Sequence, residues 1–373
     1  MPIPTTPATL VASLGFALAF VFGAVASKTD FCTMGAVSDV VNIGDWKRMR
    51  MWLLAIAVAV VGANSLQLLG LVDLSKSIYQ RPNLMWLSYL VGGLCFGAGM
   101  TLASGCGNKT LIRVGGGSLK SLVVLVFLGI AAYMTLRGLF GAFRVGYLDP
   151  VALDLSRHGL TGQDLPSIVA GSSGMGRKTA QALIAALVAA VLLAFVFKDR
   201  DFRSSFNHVI GGVSVGLLVV AGWYVTGHLG YGENPDTLEN VFFATNSKAA
   251  ESFSFVAPVA YLLELLMLWT DKSLGVTFGV ASALGVVAGS AVYALAARRF
   301  QWEGFISVAD TRNHIIGGLL MGFGGVTALG CTIGQGISGF STLALGSMLT
   351  FAAIVTGAAI TMKYLYWQIG RGA

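Results

Sequence analysis

Three of the four cysteines lie in polar segments that interrupt long apolar runs. Each segment directly follows an apolar run and leaves a stretch of about eight to ten residues before the next one, which is too short to cross a bilayer. This pattern predicts a re-entrant half-helix preceded by a broken backbone. The three segments are residues 29–36 with Cys32, residues 103–110 with Cys106 and residues 328–339 with Cys331.

The chemistry that these segments offer is anion binding. The N-terminus of a half-helix presents unpaired N–H groups and the positive end of the helix dipole. A cysteine there adds a weak S–H donor and a polarisable sulfur, which suit a soft, sulfur-bearing anion better than a hard one such as sulfate. The polar residues that follow Cys106 and Cys331 are further candidate ligands of the anion: Asn108, Lys109, Thr110, Thr332, Gln335 and Ser338.

Each candidate also has a simpler structural explanation. A free cysteine often only fills space in a core, and this is what we expect of Cys95, which lies within a glycine-rich helix. Cys106 and Cys331 are favoured as functional because they are equivalent in two repeats and follow glycine. For Cys32 both roles stay open, since its repeat counterpart is Val225. Lys109 either adds charge to the site or extends its ammonium group to the membrane surface.

Several classes of site are missing from the sequence. The chain has no CxxC pair and only four histidines, so no metal site is predicted. It has no Walker A sequence and no catalytic-triad signature. We therefore predict no cofactor and no enzymatic activity.

The composition is that of a polytopic membrane protein. Hydrophobic residues make up 55% of the 373 residues and charged residues only 11%, against about 25% charged in soluble proteins. The sequence predicts an all-α integral membrane protein of a single domain, residues 1–373, with nine spanning helices and the short half-helices. The predicted spans are residues 8–27, 49–70, 84–104, 117–140, 178–197, 206–226, 274–297, 312–330 and 342–368.

The basic residues predict the orientation. Clusters at 47–50, 198–203 and 298–312 all belong on the cytoplasmic side by the positive-inside rule. They reach the same side only if the run at 252–269 is re-entrant and does not span. We therefore expect the N-terminus outside and the C-terminus in the cytoplasm.

An internal repeat relates the two halves. Residues 91–99 (VGGLCFGAG) resemble residues 316–324 (IGGLLMGFG), and the match continues without a gap to Cys106 and Cys331. The chain thus divides into a first repeat at about 8–140, a linking span at about 178–197 and a second repeat at about 206–369. Because the linker is a single span, the second repeat is inverted, as in many transporters, whose sites lie where the halves meet.

These cysteine segments resemble those of the YeeE/YedE family of bacterial sulfur-transport membrane proteins. The likeness covers essentially the whole chain and is most specific at residues 104–110 (SGCGNKT) and 330–339 (GCTIGQGISG). It implies an hourglass-shaped bundle in the bacterial inner membrane that imports thiosulfate or a related anion. Cys32, Cys106 and Cys331 would relay the anion through S–H···S contacts. A cytoplasmic sulfur carrier of the TusA type is the partner that the family implies.

Two alternatives use the same cysteines differently. A membrane sensor would bind the sulfur anion and signal to a cytoplasmic partner with little flux. A thiol redox or persulfide enzyme would use the cysteines covalently and would need an accessible thiolate. Burial in an apolar bundle disfavours a thiolate, and a thiolate would also repel an anion.

Overall fold

Helices dominate residues 6–235 and 237–372, which the computed structural model describes. They are α1 (Pro7–Thr29), α2 (Thr33–Ile43), α3 (Lys47–Leu68), α4 (Trp86–Leu102), α5 (Gly107–Gly115), α6 (Leu119–Arg137), α7 (Leu139–Phe143), α8 (Leu165–Ser173), α9 (Arg177–Phe197), α10 (Arg200–Ser204), α11 (Phe206–Tyr224), α12 (Ala257–Met267), α13 (Phe278–Ala296), α14 (Val308–Thr327) and α15 (Leu345–Gly372).

Within the described residues, eight helices are long and apolar enough to cross a membrane. They confirm the all-α membrane fold and correspond to all the predicted spans except 312–330. That run forms α14, which has 20 residues but begins with the polar residues Asp310, Arg312 and His314. The count of nine spans therefore stays a prediction.

The half-helices are present and short. Helix α2 has 11 residues, α5 has 9 and α12 has 11. At 1.5 Å per residue, the longest of these reaches only about 16 Å, roughly half of a bilayer core. The third cysteine segment forms a π-helical turn at Gly334–Gly339 that leads towards α15.

Close helix packing joins the two predicted repeats. Helices α4 and α14 run antiparallel with their glycine stripes in contact. A Cβ atom at Gly99 would lie 2.7 Å from the carbonyl oxygen of Gly317, and one at Gly317 would lie 2.7 Å from that of Gly99. Without side chains the two backbones approach directly, as in membrane helix pairs of this type. The inverted relation of the halves stays a prediction.

Small strand pairs and loops gather at one end of the bundle, which we call the loop-rich end (residues 69–85, 138–176 and 230–256). Asn83–Leu84 (β1) pairs with Leu153–Asp154 (β2), and Tyr231–Glu233 (β3) pairs with Asn240–Phe242 (β4). A bridge between Ser77 and Ala250 ties the first of these loops to the third.

The predicted basic clusters lie together at the other end, which we call the basic end. Lys47 forms an ion pair of 4.0 Å with Asp201, and Lys120 forms one of 2.8 Å with Glu303. Helices α1 and α13 run parallel, since Gly15 faces Phe278 and Gly23 faces Val286. Their C-terminal ends therefore bring these two groups of connections to the same side. Which side of the membrane this end faces stays a prediction.

The glycine contact between α4 and α14 can be tested by adding one methyl group. We expect Gly317→Ala to lower the free energy of unfolding by about 1–3 kcal/mol, because the new Cβ has no room beside the backbone of α4. Gly304→Ala is the control, since nothing lies within 4 Å of a Cβ there. The midpoint of thermal unfolding in detergent is measured for both variants. Equal midpoints for the two variants would contradict the close packing.

Candidate functional site

Three helix breaks with the same backbone geometry precede the three buried cysteines. The helix before each of these cysteines is followed by a residue in the left-handed conformation, two positions before the cysteine: Asp30 with φ 53°, Ser104 with φ 55° and Leu329 with φ 57°. The N–H of the following residue then bonds back to the carbonyl five residues earlier, over 2.7–3.0 Å. This geometry closes the first helix and turns the chain into the half-helix.

Each cysteine stands immediately before the first residue of its half-helix. The Cys32 sulfur accepts the N–H of Gly35 at 3.4 Å, and the Cys331 sulfur accepts the N–H of Gly334 at 3.4 Å. The thiol thus takes the place of the side-chain oxygen that usually caps a helix. Sulfur is a weak acceptor, so these N–H groups are only partly satisfied.

Two of the thiols adjoin. Cys32 and Cys106 interact directly, and the Thr332 side chain faces Cys106 as well. Cys331, the residue before Thr332, completes the group, and at least 96% of the surface of each of these cysteines is buried. The structure therefore brings together the three cysteines that the sequence singled out, including Cys32.

Polar atoms without partners occur on residues that closely follow these cysteines in the chain. In the described part of the chain, the buried atoms that lack a hydrogen bond include both amide atoms of Asn108, the hydroxyls of Thr33 and Thr332, and Oε1 of Gln335. Such atoms are rare in folded proteins, because leaving one buried and unmet costs about 1–3 kcal/mol. The residues that carry these atoms all lie within four residues after one of the three cysteines, and unmet polar atoms of this kind are what a site for a polar ligand requires.

The other predicted ligands already have backbone partners. The Thr110 hydroxyl donates to the carbonyl of Cys106 at 3.0 Å, and the Ser338 hydroxyl donates to the carbonyl of Phe253 at 2.8 Å. Gln335 donates its amide N–H to the carbonyl of Ala328 and keeps its oxygen free. These contacts shape the half-helices, and an anion would have to compete with them.

Lys109 is part of an ionic network on the Cys32 side of the site. Its ammonium group pairs with Asp30, and the guanidinium of Arg48 lies 3.5 Å from the same carboxylate. Arg48 also donates to Asp39 at 2.8 Å. The network keeps two cations beside the thiols while the lysine remains largely buried, so Lys109 does not extend freely to the surface.

A stack of aromatic rings holds two of the segments together. Trp52 on α3 lies between Phe31 and Phe351, with ring centroids 5.2 Å and 5.5 Å away. Both Trp52 and Phe351 also close on Gly336 in the π-helical turn. The stack fixes the Cys32 break against the half-helix that follows Cys331.

A cavity of about 340 Å³ opens from the loop-rich end towards Cys331. Its walls include Leu329 and Gly330, the two residues before that cysteine. On the far side runs the extended segment 251–256, in which Phe255 donates its N–H to the Cys331 sulfur at 3.4 Å. The cavity, the cysteines and the ionic network thus follow one another from the loop-rich end to the basic end.

Cys95 lies apart from this arrangement. It sits within α4, is only partly buried, and is the one cysteine of the four that does not precede a half-helix. Its role as a packing residue stays a prediction.

Sequence reasoning missed several contributors. Asp30 and Arg48 were not singled out as partners of Lys109, although Asp30 stands two residues before Cys32. The segment 251–256 was seen only as the start of a re-entrant run, although its alternating serines and phenylalanines marked it as unusual in an apolar stretch. Thr33 carried no signal beyond its position next to Cys32.

Comparison with known proteins places this site in a family. The family described as "Sulphur transport" matches residues 28–360, a stretch that contains all three breaks. The chain belongs to this sulphur transport family. This confirms the resemblance that the cysteine segments indicated.

Two curated proteins are similar to this member of the family. A thiosulfate transporter TsuA of Spirochaeta thermophila is 28% identical over 346 residues, which are 92% of this chain and 96% of that protein. A thiosulfate transporter TsuA of Escherichia coli is 24% identical over 334 residues, 84% of this chain and 83% of that protein. Both names describe transporters and not enzymes, in agreement with the sequence prediction.

The left-handed breaks can be tested at Ser104, whose side chain is exposed. We expect Ser104→Gly to raise the free energy of unfolding by about 0.5–1 kcal/mol, since glycine adopts positive φ without the cost of roughly 1–2 kcal/mol that other residues bear. Ser172→Gly, at an exposed position in helix α8, is the control and should be destabilising. Chemical unfolding in detergent compares them. A loss of stability in both variants would argue against the break.

Proposed function

We propose that this protein imports thiosulfate, or a closely related small sulfur anion, across the bacterial inner membrane past its three buried thiols. Membership of the sulphur transport family and the two thiosulfate transporters among its relatives support the substrate class. The observation that carries the proposal is the set of unpartnered polar atoms on the residues that closely follow the three buried cysteines.

The donors around the thiols fit such an anion by type. Thiosulfate has three oxygens that accept ordinary hydrogen bonds and a terminal sulfur that is larger and more polarisable. Asn108, Thr33 and Thr332 offer N–H and O–H donors for the oxygens, and the S–H groups offer weak donors for the terminal sulfur. Sulfate has no terminal sulfur and would engage the thiols poorly.

The thiols carry the anion best when they stay protonated. In each capping contact the sulfur accepts an N–H, so its own proton remains available for donation to the anion. A thiol hydrogen bond is weak, and several weak sites in series let an anion bind without becoming trapped. The proposed order is the cavity, Cys331, Cys106 and then Cys32. No covalent step is needed.

The orientation follows from charge. With the basic end in the cytoplasm, as the positive-inside rule requires, α1 starts outside and α15 ends inside. The cavity then faces the periplasm. The ionic network of Asp30, Lys109 and Arg48 lies at the cytoplasmic end of the proposed path. A sulfur carrier of the TusA type, which the family resemblance implies, would receive the anion at this end.

The proposed function is tested by uptake of labelled thiosulfate into proteoliposomes, with sulfate as the control substrate. We expect Cys32→Ala, Cys106→Ala and Cys331→Ala each to lower thiosulfate uptake at least tenfold, because each removes one S–H from the series. Cys95→Ala is the matched control and should keep at least half of the wild-type rate, since Cys95 lies outside the site.

The outcomes separate the alternatives. If the wild type binds thiosulfate but moves none, the protein is a sensor and the importer reading is wrong. If all four alanine variants keep the wild-type rate, the thiols do not carry the anion. Covalent modification of a cysteine by thiosulfate, detected as a mass increase, would favour the redox enzyme.

A further inference from the structure

Two acidic side chains, Asp149 and Glu251, line the cavity through which the anion would pass, and they differ in their partners. Glu251 begins the segment 251–256 and lies in the loop between β4 and α12, outside the spanning helices. Four residues later in the same segment, Phe255 donates to the sulfur of Cys331. The carboxyl group therefore stands on the wall that leads directly to the first thiol.

This carboxyl has no cationic partner. It accepts hydrogen bonds from Ser247, from the hydroxyl at 2.7 Å and from the backbone N–H. In residues 6–235 and 237–372, no lysine or arginine nitrogen lies within 4.0 Å of it, whereas Glu264 in the neighbouring helix α12 lies 3.7 Å from Arg137. Glu251 is half-buried in the cavity wall, so its carboxylate has lost part of its water without gaining a counter-ion.

The other charged groups of the cavity do not pair with Glu251. Asp149 pairs with Arg144 at 3.3 Å and accepts from Ser88, and Arg81 is exposed at the mouth. The titratable groups that face Glu251 itself are Tyr79 and Tyr261, whose phenols are neutral near pH 7. Nothing on these neighbours offsets a negative charge on Glu251.

Protonation is the remaining way to neutralise the group. Burial raises the pKa of Glu251 to about 7, while the hydrogen bond from Ser247 acts in the opposite direction and limits the rise. The carboxyl is therefore neutral below about pH 7 and negative above it. A negative carboxylate in the wall repels an incoming dianion.

We propose that Glu251 is a proton-binding site that couples admission of the anion to uptake of a proton. The inference rests on the proposed function and adds a gating proton to it. Linkage makes the effect reciprocal: protonated Glu251 favours anion binding, and a bound dianion favours the protonated carboxyl to the same extent. The proton binds to a carboxylate oxygen, and no bond of the anion changes.

The test is the pH dependence of thiosulfate uptake at low substrate concentration. In the wild type, a group with this pKa predicts a fall of about tenfold in the initial rate between pH 6 and pH 8. Glu251→Gln mimics the protonated side chain and should keep the low-pH rate of the wild type across the range. Glu233→Gln, which removes an exposed acid from β3, is the matched control and should keep the wild-type profile.

A second variant tests the direction in which the midpoint of the pH profile moves. Ser247→Ala removes the hydroxyl that stabilises the charged carboxylate, so the midpoint of the profile should move to higher pH. A midpoint that moves down, or an unchanged pH profile in Glu251→Gln, would overturn the proton site while leaving thiosulfate transport intact.

A measurement without transport separates the two proposals. Infrared difference spectra on adding thiosulfate at pH 7.5 should show a protonated carboxyl band that gains intensity in the wild type and is missing in Glu251→Gln. If the wild type moves no thiosulfate at any pH, the proposed function fails, and this band alone decides the assignment of Glu251. Its absence in the wild type overturns the assignment.

Discussion

A helix that breaks inside a membrane leaves backbone N–H and C=O groups that lipid cannot satisfy, and the centre of this molecule is organised around that constraint. The break occurs three times and is closed in the same way, by a left-handed residue that lets the chain turn back on the preceding helix. The turn satisfies the carbonyls of the helix that ends. The N–H groups of the half-helix that begins are left pointing at a cysteine.

A cysteine at these positions affects both the stability of the half-helix and its capacity to bind an anion. A serine or aspartate would cap the half-helix more strongly and would leave its N–H groups fully bonded. A sulfur caps weakly, so the Cys32 and Cys331 half-helices retain some capacity to attract an anion. The Thr332 side chain faces the neighbouring Cys106, and polar atoms of Thr332 and Asn108 also lack partners. The region is therefore held together less tightly than it could be, which is typical of a site that must accept and release a ligand.

Much of this arrangement was predictable from the sequence, because apolar length and glycine spacing are local signals. They located the helices, the re-entrant run before α13 and the segments around Cys106 and Cys331. The left-handed conformation of Leu329 was not predictable, since leucine rarely adopts it and only the tertiary contacts impose it. The pairing of Lys109 with Asp30 was also missed, because it joins residues 79 positions apart.

The contact between Gly99 and Gly317 has a consequence for how fast the protein works. With no side chains between them, α4 and α14 are in direct backbone contact, which opposes sliding of one helix along the other. The frame around the thiols therefore resists the rocking of whole bundles that alternating-access carriers use, which takes microseconds to milliseconds. Motion beside the thiols is then limited to individual side chains, whose rotamers change in picoseconds to nanoseconds where they are not confined. On the proposed import path, this predicts side-chain motion within a helical frame that stays fixed.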